Sequence, residues 1–362
     1  MAELQRWSRE KAWEWKRNQP WWRGCNYMPA NCANRIDMWQ ELDCEKHFAA
    51  ADTELALARK IGFNTIRVIL EFVVWDQDHD GFMARLERFL DLAHRHGIAT
   101  MICFGNDCTV PKSDPNSSPH LGPQHYDWGY HGGRRKSQHG SYRGQTGYSL
   151  LDEPETRERF FAMVAEIVAK YARDPRVNVW DLFNEPGNNN RDELSIPHVK
   201  RIFEVARACA PDQPLTTGVW SSRELEVEKL AIELSDVISF HCYAPFPVMV
   251  EKIAQLRSYG RPLMNTEWLN RIGNNDIREI FPLFFLEGVD CWMWGFVAGL
   301  YQTYEPWENY WRMVEEGRFP AEFDITRWQH DLIRPSLRPY DPREIEIIRH
   351  FADLADRGGN TR

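Results

Sequence analysis

The sequence predicts an α/β fold in which eight parallel strands close into a single (β/α)8 barrel, and three observations carry that reading. Short apolar runs rich in β-branched and aromatic residues alternate with longer segments of helical period. The runs number eight. No glycine-rich fingerprint follows the first of them, which sets the doubly wound alternative aside.

In chain order the runs are WWRGCNY (21–27), NTIRVIL (64–70), IATMICF (98–104), VNVWDLF (177–183), PLTTGVW (214–220), DVISFHCY (236–243), RPLMNTE (261–267) and VDCWMWGF (289–296). Helical segments fall between them. DTELALARKIG follows the first run, FMARLERFLDLAHRHG the second, ETRERFFAMVAEIVAKYA the third, PHVKRIFEVARACA the fourth and DIREIFPLFFLEG the seventh. LRPYDPREIEIIRHFADLADR supplies a last helix after the eighth. Several end in the glycine or basic residues expected at a helix C-terminus. Residues 1–362 read as one barrel domain, without repeat or low-complexity tract.

A barrel of this kind places its active site at the C-terminal ends of its strands. Two connections on that face are long: 105–153, rich in Gly, Ser, His and Pro, and 297–340, which carries Tyr301, Tyr304, Trp307, Tyr310 and Trp311. Such loops shape a substrate cleft. The tip of the first, HGGRRKSQHGSYRG, is expected to close one end of the cleft, favouring exo action or short oligosaccharides, or to contact another subunit, so a homo-oligomer stays open.

Composition narrows the partners. With 43% hydrophobic and 27% charged residues the chain can bury a large core, and a net charge of -9 argues against nucleic acid. The 16 Trp, beside 12 Tyr and 19 Phe, suit both core packing and stacking on apolar ligand faces. Eight cysteines lie without a CxxC pair, so a zinc site is not supported. The N-terminus carries charges throughout, which predicts neither a signal peptide nor a membrane span, and a cytoplasmic protein with reduced thiols.

Two of the apolar runs stop abruptly at carboxyl groups. VNVWDLF ends in Asn184, Glu185 and Pro186, and RPLMNTE ends in Glu267, followed by Trp268. In a barrel both carboxyl groups point into one mouth. Two carboxyl groups about 5 Å apart serve a retaining glycosidase, one as nucleophile and one as acid and then base. A cation such as Arg67, in the second run, would keep the nucleophile ionised.

NEP after the fourth run, TEW after the seventh, HCY after the sixth and a Trp near the end of the eighth resemble the clan of retaining (β/α)8 glycosidases, most closely glycoside hydrolase family 5. The resemblance covers the whole barrel in order. It implies Glu185 as acid/base, Glu267 as nucleophile and Asn184 on the sugar 2-hydroxyl. It also implies Arg67 and Tyr243 around the nucleophile, His241 near the pair and Trp294 as the floor of the reactive subsite, with no cofactor. Trp220, at the end of the fifth run, joins the substrate-binding candidates. In many family members the third strand ends in a His, whereas CFGNDCTV offers Asn106 and Asp107, so the sugar is open.

The expected activity is hydrolysis of a soluble β-linked oligosaccharide or glycoside. Transglycosylation by the same residues, a non-catalytic carbohydrate-binding barrel and a metal-dependent hydrolase are the alternatives. Asp76 to Glu87, DQDHDGFMARLE, matches a calcium-loop pattern with ligands Asp76, Asp78, Asp80 and Glu87. Against calcium, the run before it reads as a strand, and Asp80-Gly81 reads as a helix cap.

Overall fold

The strands are short because each spans only the barrel wall. They are β1 (Arg23–Asn26), β2 (Thr65–Ile69), β3 (Ala99–Asn106), β4 (Val177–Asn184), β5 (Leu215–Thr216), β6 (Ile238–His241), β7 (Leu263–Glu267) and β8 (Asp290–Met293). Each of the eight expected runs overlaps one, with β3 and β4 running past the ends of theirs. In this computed structural model, which describes residues 5–114, 117–124, 144–223 and 225–358, they form one parallel sheet in the order β5-β4-β3-β2-β1-β8-β7-β6. Most of the HGGRRKSQHGSYRG tip lies outside the described residues. Gly24 faces Thr65 across β1 and β2 so closely that a Cβ would meet the Thr65 carbonyl oxygen at 1.8 Å.

The seam between β5 and β6 closes through backbone bonds, Asp236 N–H to the Leu215 carbonyl, Val219 N–H to the Ser239 carbonyl and His241 N–H to the Val219 carbonyl, and through polar side chains. Val219 pairs with Phe240 as a single parallel bridge. Below it the Thr216 hydroxyl donates to the Val237 carbonyl at 2.8 Å and accepts the Ser239 N–H at 3.1 Å. The Leu215 N–H donates to Asp236 Oδ2 at 2.9 Å. These polar side chains interrupt the backbone ladder, and 214–220 yields a strand of two residues.

Outside the sheet run the helices Cys44–Ile61, His79–Arg95, Pro154–Tyr171, Ile196–Ala208, Glu226–Leu234, Phe246–Arg257, Ile277–Glu287 and Pro342–Asp356. The helix His79–Arg95 shows why they form: Phe82, Met83, Leu86, Phe89, Leu90 and Ala93 recur at three and four residues and bury one stripe on the sheet. A further helix, Arg9–Arg17, lies at the N-terminal end of the barrel. It is tied there by Lys16 Nζ at 2.5 Å from buried Asp290 and by the Trp7 N–H donating to Asp236 at 2.8 Å. Trp15 packs on the nearby cluster of Trp22, Met101, Val179, Val237, Met264 and Trp292. Among the described residues no helix is long and apolar enough to cross a membrane.

The calcium-loop pattern, already disfavoured by the sequence, forms no such loop. Asp76 ends in a short helix, Phe72–Gln77, and the next helix starts at His79 with Asp78 as its cap residue, so no twelve-residue loop exists. The four carboxylates are dispersed. Asp76 pairs with Arg159 at 2.7 Å, Asp78 with Arg85 at 2.5 Å, Asp80 with His79 at 2.9 Å and Glu87 with Arg176 at 2.7 Å.

Candidate active site

A cavity of about 940 Å³ opens at the C-terminal ends of the strands, at the upper end of the range for ligand pockets. Glu185, Glu267, Asn184, Asn106, His241, Tyr243, Trp220 and Trp294 all line it. The two carboxyl groups arrive from different strands. Asn184 ends β4, and Glu185 takes a left-handed backbone with φ 47°, a strained turn for a side chain of this size.

Asp107 holds that turn, and it does so from beneath the cavity. Fully buried, it accepts the Gly187 N–H at 2.7 Å and the Ser195 hydroxyl, and lies 3.0 Å from Arg191. Burial, against the pull of Arg191, Ser195 and Gly187, pushes its carboxyl up to about 6. Asp107 is therefore corrected from a substrate candidate to a tie under the loop. Asn106 stays at the cavity, where its Oδ1 accepts from Asn184 Nδ2 at 2.9 Å and from the Cys108 N–H at 3.0 Å.

Arg67 stands beside Glu267, but from inside the barrel and not as a substrate-binding residue at the cavity. Fully enclosed in the barrel, it reaches Asp181 at 2.7 Å, Asn26 Oδ1 at 2.6 Å, Asn184 Oδ1 at 2.7 Å and Glu267 Oε1 at 2.9 Å, and it does not line the cavity. It supports the groups that do. The Tyr243 hydroxyl donates to Glu267 Oε2 at 2.8 Å, and its ring meets Trp307 edge to face at 4.9 Å. Trp220 fixes its indole by donating to the Pro186 carbonyl at 3.1 Å.

His241 bridges the pair, with Nδ1 at 2.7 Å from Glu185 Oε1 and 3.4 Å from Glu267 Oε2. Its opposite edge faces Gly218, where a Cβ would stand 2.8 Å from Nε2. The three groups titrate as a unit. Burial would depress His241, but Glu267 and Glu185 outweigh it and raise the imidazole. Burial would raise Glu185, yet the hydrogen bond and charge of His241, with Cys108 and Asn188, bring it below its ordinary value. For Glu267 burial prevails, aided by the charge of Glu185 against His241, Arg67 and Tyr243, and the group is raised.

Two cavity residues escaped the sequence reading. Cys108 lies 3.0 Å from Glu185 Oε2, and Asn188 donates to the same oxygen at 2.5 Å. Both stood close to chosen positions, Asn188 three residues past Glu185 and Cys108 two past Asn106. Glu185, His241 and Glu267 also offer ligand atoms all within 4.8 Å of one another, a set able to take a divalent cation. Arg67 would place a fixed positive charge beside such an ion.

Comparison with known proteins fits this geometry. No curated protein matches the sequence. Among solved structures, an exo-beta-1,4-mannosidase from Opitutaceae bacterium strain TAV5 aligns over 92% of this chain with TM-score 0.59 and 16% identity. The chain spans 60% of that enzyme's length. A GH5_18 protein from Streptomyces cattleya, solved with GlcNAc, aligns over 93% of this chain and 81% of its own, with TM-score 0.57 and 11% identity. The beta-1,4-mannanase of the sea hare Aplysia kurodai aligns over 76% and 88%, with TM-score 0.52 and 13% identity. At such identities the likeness is one of fold. Residues 38–276, well over half of the chain and including both carboxyl-bearing strand ends, match the Cellulase family, so this barrel belongs to glycosyl hydrolase family 5.

Proposed function

We propose that this glycoside hydrolase is a retaining β-glycosidase, with Glu267 as the nucleophile and Glu185 as acid and then base. The observation that carries the reading is a distance: a Glu185 oxygen and a Glu267 oxygen lie within 4.8 Å. Retaining enzymes hold their carboxyl groups about 5 to 5.5 Å apart, whereas inverting ones need about 6.5 Å or more to admit a water. Glu267 attacks the anomeric carbon, Glu185 protonates the leaving oxygen, and the sugar on Glu267 is released by a water that Glu185 deprotonates. Transfer to an acceptor sugar would use the same groups.

Glu185 and His241 together hold the proton that is delivered: with the imidazole neutral and its Nδ1–H donating to Oε1, the carboxyl proton sits on Oε2, the oxygen left to face the leaving group. A protonated imidazole beside an ionised Glu185 and a neutral imidazole beside a protonated Glu185 carry the same charge across the 2.7 Å hydrogen bond, so the two groups titrate together. Arg67 and Tyr243 meanwhile donate to Glu267 and support its ionised form. Asn184 faces the sugar beside Glu185, and Trp220 and Trp294 offer flat apolar surfaces to its C–H faces. We take a soluble β-linked oligosaccharide or glycoside as the substrate and a reducing compartment as the setting.

Replacing Glu267 by Ala should abolish turnover on every substrate. Glu185→Ala should lose about 10²- to 10⁴-fold on alkyl β-glycosides and far less on nitrophenyl β-glycosides, whose leaving group needs no proton. Equal losses on both substrates would remove Glu185 from the acid role. Sugar binding with no turnover by the unaltered protein would favour a non-catalytic barrel.

A further inference from the structure

Both oxygens of Glu185 already have donors. Oε1 faces His241 Nδ1 at 2.7 Å, while Oε2 receives Asn188 Nδ2 at 2.5 Å and the Cys108 thiol at 3.0 Å. Oε2 has both its acceptor sites taken, so for this oxygen to meet a leaving group one of its two donors must give way. The three are unequal. An S–H is the weakest donor among them, and Cys108 is exposed at the cavity wall, whereas His241, which also lines the cavity, is buried.

The thiol is itself held in place. Its sulfur accepts from Asn184 Nδ2 at 3.5 Å and from Asn188 Nδ2 at 3.4 Å, leaving its hydrogen directed to the carboxylate. Cys108 is open to the cavity, yet the protein around it partly desolvates the sulfur and, with the charge of Glu185, raises the thiol above its ordinary range, so it remains an S–H donor rather than a thiolate. Asn184, Cys108, Asn188 and Glu185 thus form one hydrogen-bonded group on the side of the carboxyl pair where the leaving group must lie.

We propose that Cys108 is a positioning residue for Glu185, holding Oε2 at the cavity face through a weak hydrogen bond and releasing it to the leaving oxygen of the substrate. The inference rests on the reading of Glu185 as acid/base. A thiol suits the task because a stronger donor would compete with the substrate, and an apolar group would leave Oε2 oriented by Asn188 alone. Both departures are measurable.

The test is the pH dependence of kcat/KM for an alkyl β-glycoside in the unaltered enzyme, Cys108→Ala and Cys108→Ser, with circular dichroism confirming that each variant is folded. Loss of the donor should move the alkaline limb to higher pH in Cys108→Ala, and the stronger hydroxyl donor should move it to lower pH in Cys108→Ser. Both should turn over the alkyl glycoside about 2- to 10-fold more slowly, with a smaller loss on a nitrophenyl glycoside. Alkaline limbs unmoved in both variants, while Glu185→Ala still discriminates between leaving groups, would overturn the role of Cys108 and leave that of Glu185 standing. If Glu185→Ala does not discriminate, the acid/base reading fails and the Cys108 role fails with it. Should Cys108→Ala not fold, the direction of the Cys108→Ser shift decides alone.

Discussion

Arg67 reaches the oxygens of four residues from inside the barrel, and only one of them, Glu267, belongs to the carboxyl pair. Asp181, fully buried, depends on the same guanidinium at 2.7 Å. Arg67→Met would leave Asp181 buried without a cation, which we expect to destabilise the fold by about 3–5 kcal/mol in urea denaturation. A loss below about 1 kcal/mol would mean that another group compensates Asp181. The pair itself predicts a bell-shaped kcat/KM profile. Activity needs Glu267 ionised, and its raised value places the acid limb above the ordinary carboxylate value of about 4.3. It also needs the proton shared by His241 and Glu185, and the raised imidazole places the alkaline limb above about 6.5. An alkaline limb below pH 6 would contradict a proton held by that pair.

At the scale of strands and loops, the site depends on where each strand stops. The apolar runs made the stops at Glu185 and Glu267 legible, because a carboxyl group closing a buried run has few other reasons to be there. Which neighbours share the cavity was harder to read. Asn106 and Asp107 are consecutive, and alternation along an extended chain sends successive side chains to opposite sides. Only Asn106 faces the cavity, and the same alternation returns Cys108 to it. Gly218 is the element-scale test: a Cβ there would press on His241 Nε2 at 2.8 Å and lie 3.5 Å from Thr266 Oγ1. We expect Gly218→Ala to displace the imidazole from Glu185 and to lower kcat on alkyl glycosides well before it lowers thermal stability. A variant with ordinary kcat would show that the ring has room to shift.

Across the whole molecule, the order of eight strands was readable from composition because a parallel sheet covered by helices needs continuous apolar runs. The helices Glu226–Leu234 and Phe246–Arg257 were not singled out. The first is only nine residues long, and the second carries exposed Phe246, Val248 and Val250, which blur its apolar stripe. The closure between β5 and β6 left no trace in the apolar pattern either, since backbone bonds and the polar side chains of Thr216, Ser239 and Asp236 make it. The barrel so closed brings Glu185 and Glu267 from strands β4 and β7 to within 4.8 Å, and on that separation the retaining reading rests. The most direct measurement is the intact mass of the protein after incubation with activated 2-deoxy-2-fluoro β-glycosides of mannose, glucose, galactose and xylose, followed by peptide mapping. One covalently bound sugar on the peptide carrying Glu267, absent in Glu267→Ala, is the predicted result. Turnover of the parent glycosides with inverted anomeric configuration, or an adduct on a residue other than Glu267, would contradict it.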